Sequence, residues 1–506
     1  MNILNFVSMI TIPLIATPMV YLSGRLGTRE TVLHSRSYLV RGLALLAILL
    51  AWIPFVVSAR AFLAGGVLEF SIESIWLRVD GISLLVAAMA LTLGTLVVLF
   101  SGPYMAGEVG EEKYYAMLLA MIGLMIGLAC ADDLFNLWVW FEGMAVSSYL
   151  LVAFYREQSA SLEAGIKYLV QSAVGSVLAL LGISLVLANA GTLNMPEVRE
   201  AVASLSVNRF ALLGAGALFV IGFGVKVAVV PLHTWLPDAH SQAPSGISAM
   251  LSGVVIEAGL IAMLRALSVL TGFSNSWGLL FMIFGALNIL YGNLLALRQT
   301  TIKRLLAYSS LSHIGYILLG LGVAFYSGAA LGAQGAFFHF FTHMLMKGLA
   351  FLSVGALMYG MFLQNDSHAA LKVTDLAGAA QKYPLVALAF SIAVLALGGL
   401  PPLAGFMSKW QIFVAGFQVQ NNWVTALMIF MALNSVLSLA YYAPLVNLMY
   451  RKSPSEQVMA GKPLPLAINL PLLLMMLAVI VLGFVPQLMD WVTVPAAQVF
   501  IAMFGG

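Results

Sequence analysis

Long apolar runs follow one another along almost the whole chain of 506 residues, with only short polar segments between them. Each run is about 20 residues long, the length at which an α-helix crosses the hydrocarbon core of a bilayer. Only 8% of the residues are charged, against about 25% in an average soluble protein. A soluble fold could not cover its surface with so few charges, so the sequence predicts an all-α polytopic membrane protein.

The runs predict approximately 14 transmembrane helices. The first run is expected to be a span and not a cleavable signal peptide, because no basic segment precedes it. The last run could be one span followed by a re-entrant tail. No connecting segment is long enough for a separate soluble catalytic domain. We place the spans at 3–23, 38–59, 82–102, 114–131, 134–155, 164–189, 210–230, 246–268, 277–297, 302–324, 329–361, 384–414, 422–450 and 466–503.

Lysine and arginine residues are concentrated in odd-numbered loops, whereas Asp132 and Asp133 fall in an even-numbered one. Because cytoplasmic loops of membrane proteins carry an excess of these cations, the odd loops are predicted to be cytoplasmic. Both termini would then lie outside an inner, energy-transducing membrane. The basic residues of the loops after spans 1, 9 and 13 are Arg25, Arg29, Arg36, Arg41, Arg298, Lys303, Arg304, Arg451, Lys452 and Lys462.

Charge and cysteine content exclude several other classes. A net charge of +3 is too small to indicate a nucleic-acid partner, so the lipid bilayer is the predicted environment. Cys130 is the only cysteine, which excludes an intrachain disulfide and a cysteine-based metal site. The sequence also has no cofactor-binding motif, and we expect no cofactor in this chain.

Two segments break the helical pattern with proline, at Val230-Pro231 and at Pro401-Pro402. A broken helix at membrane depth is tolerated where it is buried or lines a wet cavity. Broken helices in two corresponding halves are typical of transporters built from inverted repeats. The candidate halves are 114–268 and 277–450, preceded by N-terminal helices in 1–113 and followed by one or more helices in 451–506.

Ionisable residues within the apolar runs are the main candidates for function. Glu142 and Lys226 each lie in the middle of a predicted span, where a charge costs a few kcal/mol and is usually functional. A buried lysine beside a movable carboxylate makes a proton site, although a static salt bridge that fixes helix packing is the alternative. Glu257, Lys347 and Lys409 are further buried charges of the same kind.

Histidine residues extend this set. His339, His343 and Lys347 are spaced four residues apart, on one face of one helix. Imidazole titrates near neutral pH, so such a stripe can pass protons between waters. Metal binding is the alternative for the two histidines, but no acidic or cysteine ligand accompanies them. His313, in the preceding span, is either a relay residue or a hydrogen-bonded structural residue.

Residues at the ends of spans form a second, less specific group. His233 and Asp238 lie at the first helix break, where such residues more often cap helices than carry out chemistry. Lys167 is near the start of its span and could extend to the cytoplasmic interface. We expect Arg265 to be interfacial as well.

Extended motifs around these residues resemble the proton-antiporter-like membrane subunits of respiratory complex I. The same family includes the large subunits of Mrp-type sodium/proton antiporters and the membrane arms of energy-converting hydrogenases. The resemblance covers roughly 80–450. Its motifs are Phe135–Glu142, Lys226 followed by Pro231–His240, Ile302–Ser310, His339–Lys347, and Gly399–Phe406 followed by Lys409.

The resemblance implies 14 helices with two inverted five-helix repeats, a half-channel in each repeat and a hydrophilic axis joining them. It implies that Glu142 and Lys226 are the charged pair, that Lys347 is the central relay and that Lys409 is the exit-side lysine. One position departs from the family, because Glu257 stands where several members have lysine. Glu257 is then either a carrier itself or a second partner of Lys226.

The preferred hypothesis is therefore a proton-translocating subunit of a redox-driven complex of the NADH:quinone oxidoreductase type. Its partners would be other membrane-arm subunits and peripheral redox subunits that carry flavin and iron–sulfur clusters. The alternatives are a subunit of an Mrp-type Na⁺/H⁺ antiporter or of a membrane-bound hydrogenase, and a structural scaffold with static charges.

Overall fold

The chain forms a large helical bundle with a single β-hairpin, as seen in a computed structural model that describes residues 2–25, 33–204, 207–270, 274–362 and 369–504. The predicted all-α membrane class is confirmed. Arg29, one of the residues used to predict orientation, lies outside the described residues. The elements of the first half are α1 (Asn2–Arg25), α2 (Leu33–Leu63), β1 (Leu68–Ile72), β2 (Ile75–Val79), α3 (Gly81–Tyr104), α4 (Glu111–Cys130), α5 (Leu134–Val152), α6 (Ser159–Ala190), α7 (Met195–Ala203), α8 (Arg209–Val227), α9 (Trp235–Gln242), α10 (Ser245–Met250) and α11 (Ile256–Ser268).

The second half consists of helices joined by loops and short turns in its described residues. A π-helical turn, Leu251–Val255, joins α10 to α11 without a break in direction. Short 3₁₀ turns at Val373–Leu376 and Pro486–Met489 connect other helices. The elements are α12 (Ser274–Ala296), α13 (Ile302–Ser327), α14 (Ala330–Met361), α15 (Ala379–Lys382), α16 (Pro384–Gly398), α17 (Ala404–Gln418), α18 (Asn422–Arg451), α19 (Glu456–Ala460), α20 (Leu466–Phe484) and α21 (Asp490–Phe504).

Within the described ranges, 13 helices are long and apolar enough to cross a membrane. The last of them, which includes α21, lies along one end of the bundle instead. Asp490 accepts a hydrogen bond from Gln334 near the start of α14, and Phe504 packs on Phe325 near the end of α13. With α21 set aside, and with α5 and the broken pair α16–α17 added, fourteen described segments cross the bundle. The predicted span 466–503 is thus one span followed by a returning tail.

The two ends of the bundle differ in charge. We call the end that carries β1 and β2 the hairpin face; it includes the start of α3 and the end of α11. We call the opposite end the basic face. Contacts at the basic face join helix starts and ends that are far apart in sequence, as in the pairs Arg41–Glu111 and Arg304–Asp238. Lys382 and the end of α18 also lie at this face. The two are joined there, since the backbone N–H of Gly378, just before α15, donates to the carbonyl oxygen of Leu448 in α18.

Both predicted helix breaks are present, one between α8 and α9 and one between α16 and α17. Backbone groups freed by the first break are satisfied by side chains of the bundle. Asn288 of α12 accepts a hydrogen bond from the Val230 N–H at 2.8 Å, and the Trp235 indole donates to the Val225 carbonyl at 2.7 Å. Such partners are required because no water solvates exposed backbone in the hydrocarbon region.

Helices α12 and α13 approach each other closely through glycine. A Cβ atom added at Gly315 would lie 2.6 Å from the carbonyl oxygen of Gly285, which is closer than real Cβ contacts allow. Small residues at helix contacts let membrane helices pack by van der Waals forces. The consequence is a tightly joined helix pair beside the two breaks.

We predict that Gly315→Val destabilises the bundle by about 1–3 kcal/mol, because the added methyl groups overpack the contact with α12. Gly42→Val is the matched control, since a Cβ atom at Gly42 meets nothing within 4 Å. The check is the melting temperature of the detergent-purified protein. Equal melting temperatures for the two variants would contradict the packing argument.

Candidate functional site

Lys226 lies at the last turn of α8, directly before the first break, and is only 1% exposed. Its ammonium donates to the Ser148 hydroxyl at 3.0 Å and to the Tyr168 hydroxyl at 2.5 Å. It also lies 4.4 Å from the centre of the Tyr168 ring, which itself stacks on Trp235 at 3.9 Å. An aromatic face and a helix C-terminus both favour a positive charge. The broken helix thus builds a cation site in an apolar bundle.

Lys409 occupies a comparable site at the second break. Its ammonium donates to the carbonyl oxygen of Leu397, in the last turn of α16, at 2.8 Å and to the Ser435 hydroxyl at 2.9 Å. The centre of the Tyr316 ring lies 4.4 Å away. The lysine therefore satisfies a carbonyl that the end of α16 leaves free, and its charge faces the negative end of that helix.

Between the two breaks, α14 carries Lys347 and His343 into the fully buried centre. The Lys347 ammonium donates to the carbonyl of Leu306 at 2.7 Å and to the Ser309 hydroxyl. His343 Nδ1 lies 2.7 Å from Glu257 Oε1. The π-helical turn immediately precedes α11 and changes the helical register there, so it sets the face on which Glu257 lies; such turns often occur at functional sites.

Two further histidines form a hydrogen-bonded chain beside this pair. His313 Nδ1 lies 3.0 Å from His339 Nε2, and His339 Nδ1 lies 2.8 Å from the Ser408 hydroxyl. His313 also stacks on His343, with ring centres 5.0 Å apart. Ser408 is the neighbour of Lys409 in sequence. Two hydrogen-bonded groups, Glu257 with His343 and His313 with His339 and Ser408, thus lie in the bundle between the two breaks. We call these residues together with the three buried lysines the buried polar axis: Lys226, Glu257, His343, His313, His339, Ser408, Lys347 and Lys409.

This arrangement is suited to moving protons. The chain from His313 through His339 to Ser408 can be satisfied with its hydrogens in either direction, because each imidazole has one donor and one acceptor nitrogen when neutral. Within the described structure, Glu257 Oε2 and His343 Nε2 have no hydrogen-bond partner although both are buried. Each therefore offers a free position at which a proton or a water molecule can be accepted.

Glu142 and Lys226, expected to be a charged pair, are not in direct contact. No ion pair joins them among the described residues, and the hydrogen bonds of Lys226 go to the hydroxyls named above. Glu142 is half-buried on α5, and its Oε1 has no partner in the described part of the chain. Glu257 pairs with His343 and not with Lys226.

The second group of candidates lies apart from the axis, at or near the basic face. Asp238 accepts from Arg304 at 2.5 Å and from Lys167 at 3.1 Å, and Lys167 also pairs with Glu163. His233 is half-buried in the break, with its Nδ1 unpaired among described residues. The pairs of Asp238 with Lys167 and Arg304 join α6, α9 and α13 at the basic face.

Sequence reasoning missed several residues that the structure makes important. Ser148, Tyr168 and Ser408 complete the axis, but a hydroxyl in an apolar helix carries little signal on its own. Asp80 and Arg265 form a buried ion pair at 2.9 Å near the hairpin face. Arg265, expected at the interface, is 1% exposed, because the Asp80 carboxylate and the Ala129 carbonyl accept its guanidinium hydrogens.

The paired histidines also bear on the metal alternative. Among the described residues no three His, Cys, Asp or Glu side chains come together as a metal-binding group. His339 uses both ring nitrogens for hydrogen bonds to His313 and Ser408. The geometry therefore favours the relay interpretation of this stripe.

Comparisons with known families identify this architecture. The profile of the NADH:quinone oxidoreductase/Mrp antiporter transmembrane family matches residues 131–438. The chain belongs to this family. A second profile, the N-terminus of chain 5 of NADH-ubiquinone oxidoreductase (complex I), matches residues 68–115. The two matches include both helix breaks and every member of the buried polar axis.

Individual relatives cover most of the chain. Subunit N of the F420H2 dehydrogenase of Methanosarcina mazei is 31% identical over 86% of this chain and 87% of its own length. NADH-quinone oxidoreductase subunit N 2 of Roseiflexus castenholzii is 33% identical over 81% and 82%. Among solved structures, a chain of the archaeal membrane-bound sulfane sulfur reductase superposes with a TM-score of 0.82 at 26% identity, covering 98% of both chains.

Breaking the Asp80–Arg265 pair should destabilise the fold. We predict that Arg265→Met alone costs about 3–5 kcal/mol, because it leaves a buried carboxylate without its partner. The double variant Asp80→Asn/Arg265→Met should recover part of this loss, since the asparagine side chain can still cap α3 without a charge. Thermal unfolding in detergent measures both variants.

The exposed pair Arg78–Glu69 on the hairpin provides the control. Arg78→Met should change the stability by no more than about 1 kcal/mol, because solvent screens an exposed ion pair. If the double variant were as unstable as the sum of its single variants, the buried pair would not be coupled as described.

Proposed function

We propose that this chain is a proton-translocating membrane subunit of a redox-driven complex of the NADH:quinone oxidoreductase type. The observation that carries the proposal is the buried polar axis, whose lysine, glutamate and histidine side chains occupy the centre of the bundle at and between the two helix breaks. A charge buried in a bilayer is costly and marks an ion pathway more often than a structural role. Relatives that carry the names of dehydrogenase and quinone oxidoreductase subunits support the redox part of the proposal.

In this proposal each half of the chain supplies one part of the pathway. The segments 114–268 and 277–450 act as inverted repeats, with Lys226 in the first and Lys409 in the second. Glu142 and Lys226 change their separation during the cycle, so that Lys226 binds a proton when the carboxylate is near and releases it when the carboxylate moves away. Glu257, His343, His313 and His339 carry protons between Lys226, Lys347 and Lys409.

The redox chemistry takes place in partner subunits. We infer that other membrane-arm subunits flank this chain and that peripheral subunits with flavin and iron–sulfur clusters supply the energy. The chain itself acts without a catalytic redox centre. We place the basic face in the cytoplasm, following the excess of lysine and arginine there, and the start of α1 and the end of α20 outside.

The identity of the partners tests this proposal against its rival. The family also includes Mrp antiporters, which are driven by ion gradients. Purification of the native complex through a tag on this chain, followed by mass spectrometry, should recover flavin and iron–sulfur subunits. Recovery of small membrane subunits alone would overturn the redox proposal and leave a gradient-driven antiporter.

Neutralising a lysine of the axis should abolish transport without preventing assembly. We predict that Lys226→Met or Lys347→Met lowers the proton-pumping rate roughly tenfold or more, because a proton carrier is lost from the pathway. The readout is dye quenching in inside-out membrane vesicles during substrate oxidation. Native gels measure the amount of assembled complex.

Lys382→Met is the matched control, since Lys382 is an exposed lysine at the basic face. It should pump at the parental rate. A scaffold with static charges predicts the opposite pattern for the axis lysines, in which assembly falls while pumping per assembled complex is unchanged.

Glu257 separates a carrier role from a packing role. Glu257→Gln keeps a hydrogen-bonding group beside His343 Nδ1, so we expect a melting temperature within about 2 °C of the parent. Proton pumping should nevertheless fall roughly tenfold or more, since the amide cannot bind and release a proton. Normal pumping by this variant would show that Glu257 only holds His343 in place.

A further inference from the structure

A cavity of about 470 Å³ opens at the hairpin face, away from the buried polar axis. Its walls come from the end of α2, the hairpin, the loop between α4 and α5, α7, the end of α11 and the C-terminal helix α21. Volumes of this size are typical of small-ligand sites. The polar residues that line it are Arg78, Arg199, Arg265, Asp80 and Asp132.

Two arginines of this cavity have guanidinium N–H groups that are unpaired or weakly hydrogen-bonded within the described chain. Arg265 is 1% exposed, and its Nε has no hydrogen-bond acceptor among the described residues. Arg199 has one long hydrogen bond, at 3.5 Å to the Ser268 hydroxyl. Arginine recognises phosphate through paired N–H donors, so guanidinium groups converging on a cavity suit a phosphate oxygen.

The acidic residues have different roles. Asp80 is neutralised by Arg265 and caps the start of α3 through Ser83. Asp132 is 9% exposed and has no ion pair within 4 Å among the described residues. Burial raises the pKa of its carboxyl, opposed by the charges of Arg265, Arg78 and Arg199. A cation beside Asp132 would stabilise its ionised form, so the cavity offers one site for a cation and one for an anion.

Apolar side chains complete the lining. Phe62 and Val67 form one side, and Val499, Ala502 and Met503 of α21 form another. The cavity lies at the hairpin-face end of the transmembrane helices. Its chemistry thus combines phosphate recognition, ammonium recognition and an apolar wall.

We propose that this cavity binds a phosphoethanolamine group, with the phosphate against Arg199 and Arg265 and the primary ammonium against Asp132. An aminophospholipid headgroup and free phosphoethanolamine share this chemistry. The apolar wall favours the lipid, because its side chains offer apolar surface on which an acyl chain can pack. The proposal is independent of the direction of ion movement and of the identity of the redox partners.

The test uses the complex purified through a tag on this chain and reconstituted in nanodiscs of three compositions. Native mass spectrometry after detergent release counts the retained phosphatidylethanolamine, phosphatidylcholine or phosphatidylglycerol. We expect preferential retention of phosphatidylethanolamine. Arg199→Gln should lower retention of all three lipids about tenfold. Asp132→Asn should remove the preference for phosphatidylethanolamine over phosphatidylglycerol, which has no amine.

Two exposed residues near the hairpin face give matched controls, Arg60→Gln and Glu73→Gln, which should leave retention unchanged. Free phosphoethanolamine, added during release, should displace the lipid only at high concentration. If it bound as tightly as the lipid, the source would be the soluble compound. Equal retention of the three lipids by the parent complex, or the same loss in the control variants, would overturn the proposal. Melting temperatures of all variants separate loss of binding from loss of folding.

Discussion

Each charge within the bundle must be solvated by protein atoms, because the hydrocarbon of the bilayer offers no alternative. The structure solves this problem for Lys226 and Lys409 with helix breaks. A broken helix exposes free carbonyls and a negative dipole end, which are the groups that an ammonium requires. Lys409 binds such a carbonyl from α16, and Lys226 lies in the last turn of α8 against the Tyr168 ring. The two cation sites therefore depend on the helix breaks.

Much of this could be predicted from sequence because the signals are local. Apolar run length predicts the spans, proline predicts the breaks, and a lysine inside an apolar run stands out at once. The hydrogen-bond partners are different. Ser148, Tyr168 and Ser408 lie far from their lysine and histidine partners in sequence, and only the packing of α5, α6 and α17 brings them together. A single sequence contains no record of that packing.

Glu257 shows most clearly what could not be predicted from the sequence. The sequence allows it two roles, as an independent carrier or as a partner of Lys226. The structure gives it His343 as a partner, in a position that depends on a π-helical turn of five residues. No periodicity in the sequence signals such a turn. The burial of Arg265 is a similar case, because its partner Asp80 is 185 residues away in the sequence.

The histidine chain has one mechanical consequence. His313, His339 and Ser408 belong to three different helices, α13, α14 and α17. Hydrogen bonds of this kind weaken steeply once the heavy atoms separate by more than a few tenths of an ångström beyond about 3 Å. A relative movement of roughly 1 Å between two neighbouring helices of this set would therefore interrupt the hydrogen-bonded chain. In the proposed function, a small displacement of one of these helices by a neighbouring subunit would therefore open or close this part of the proton path.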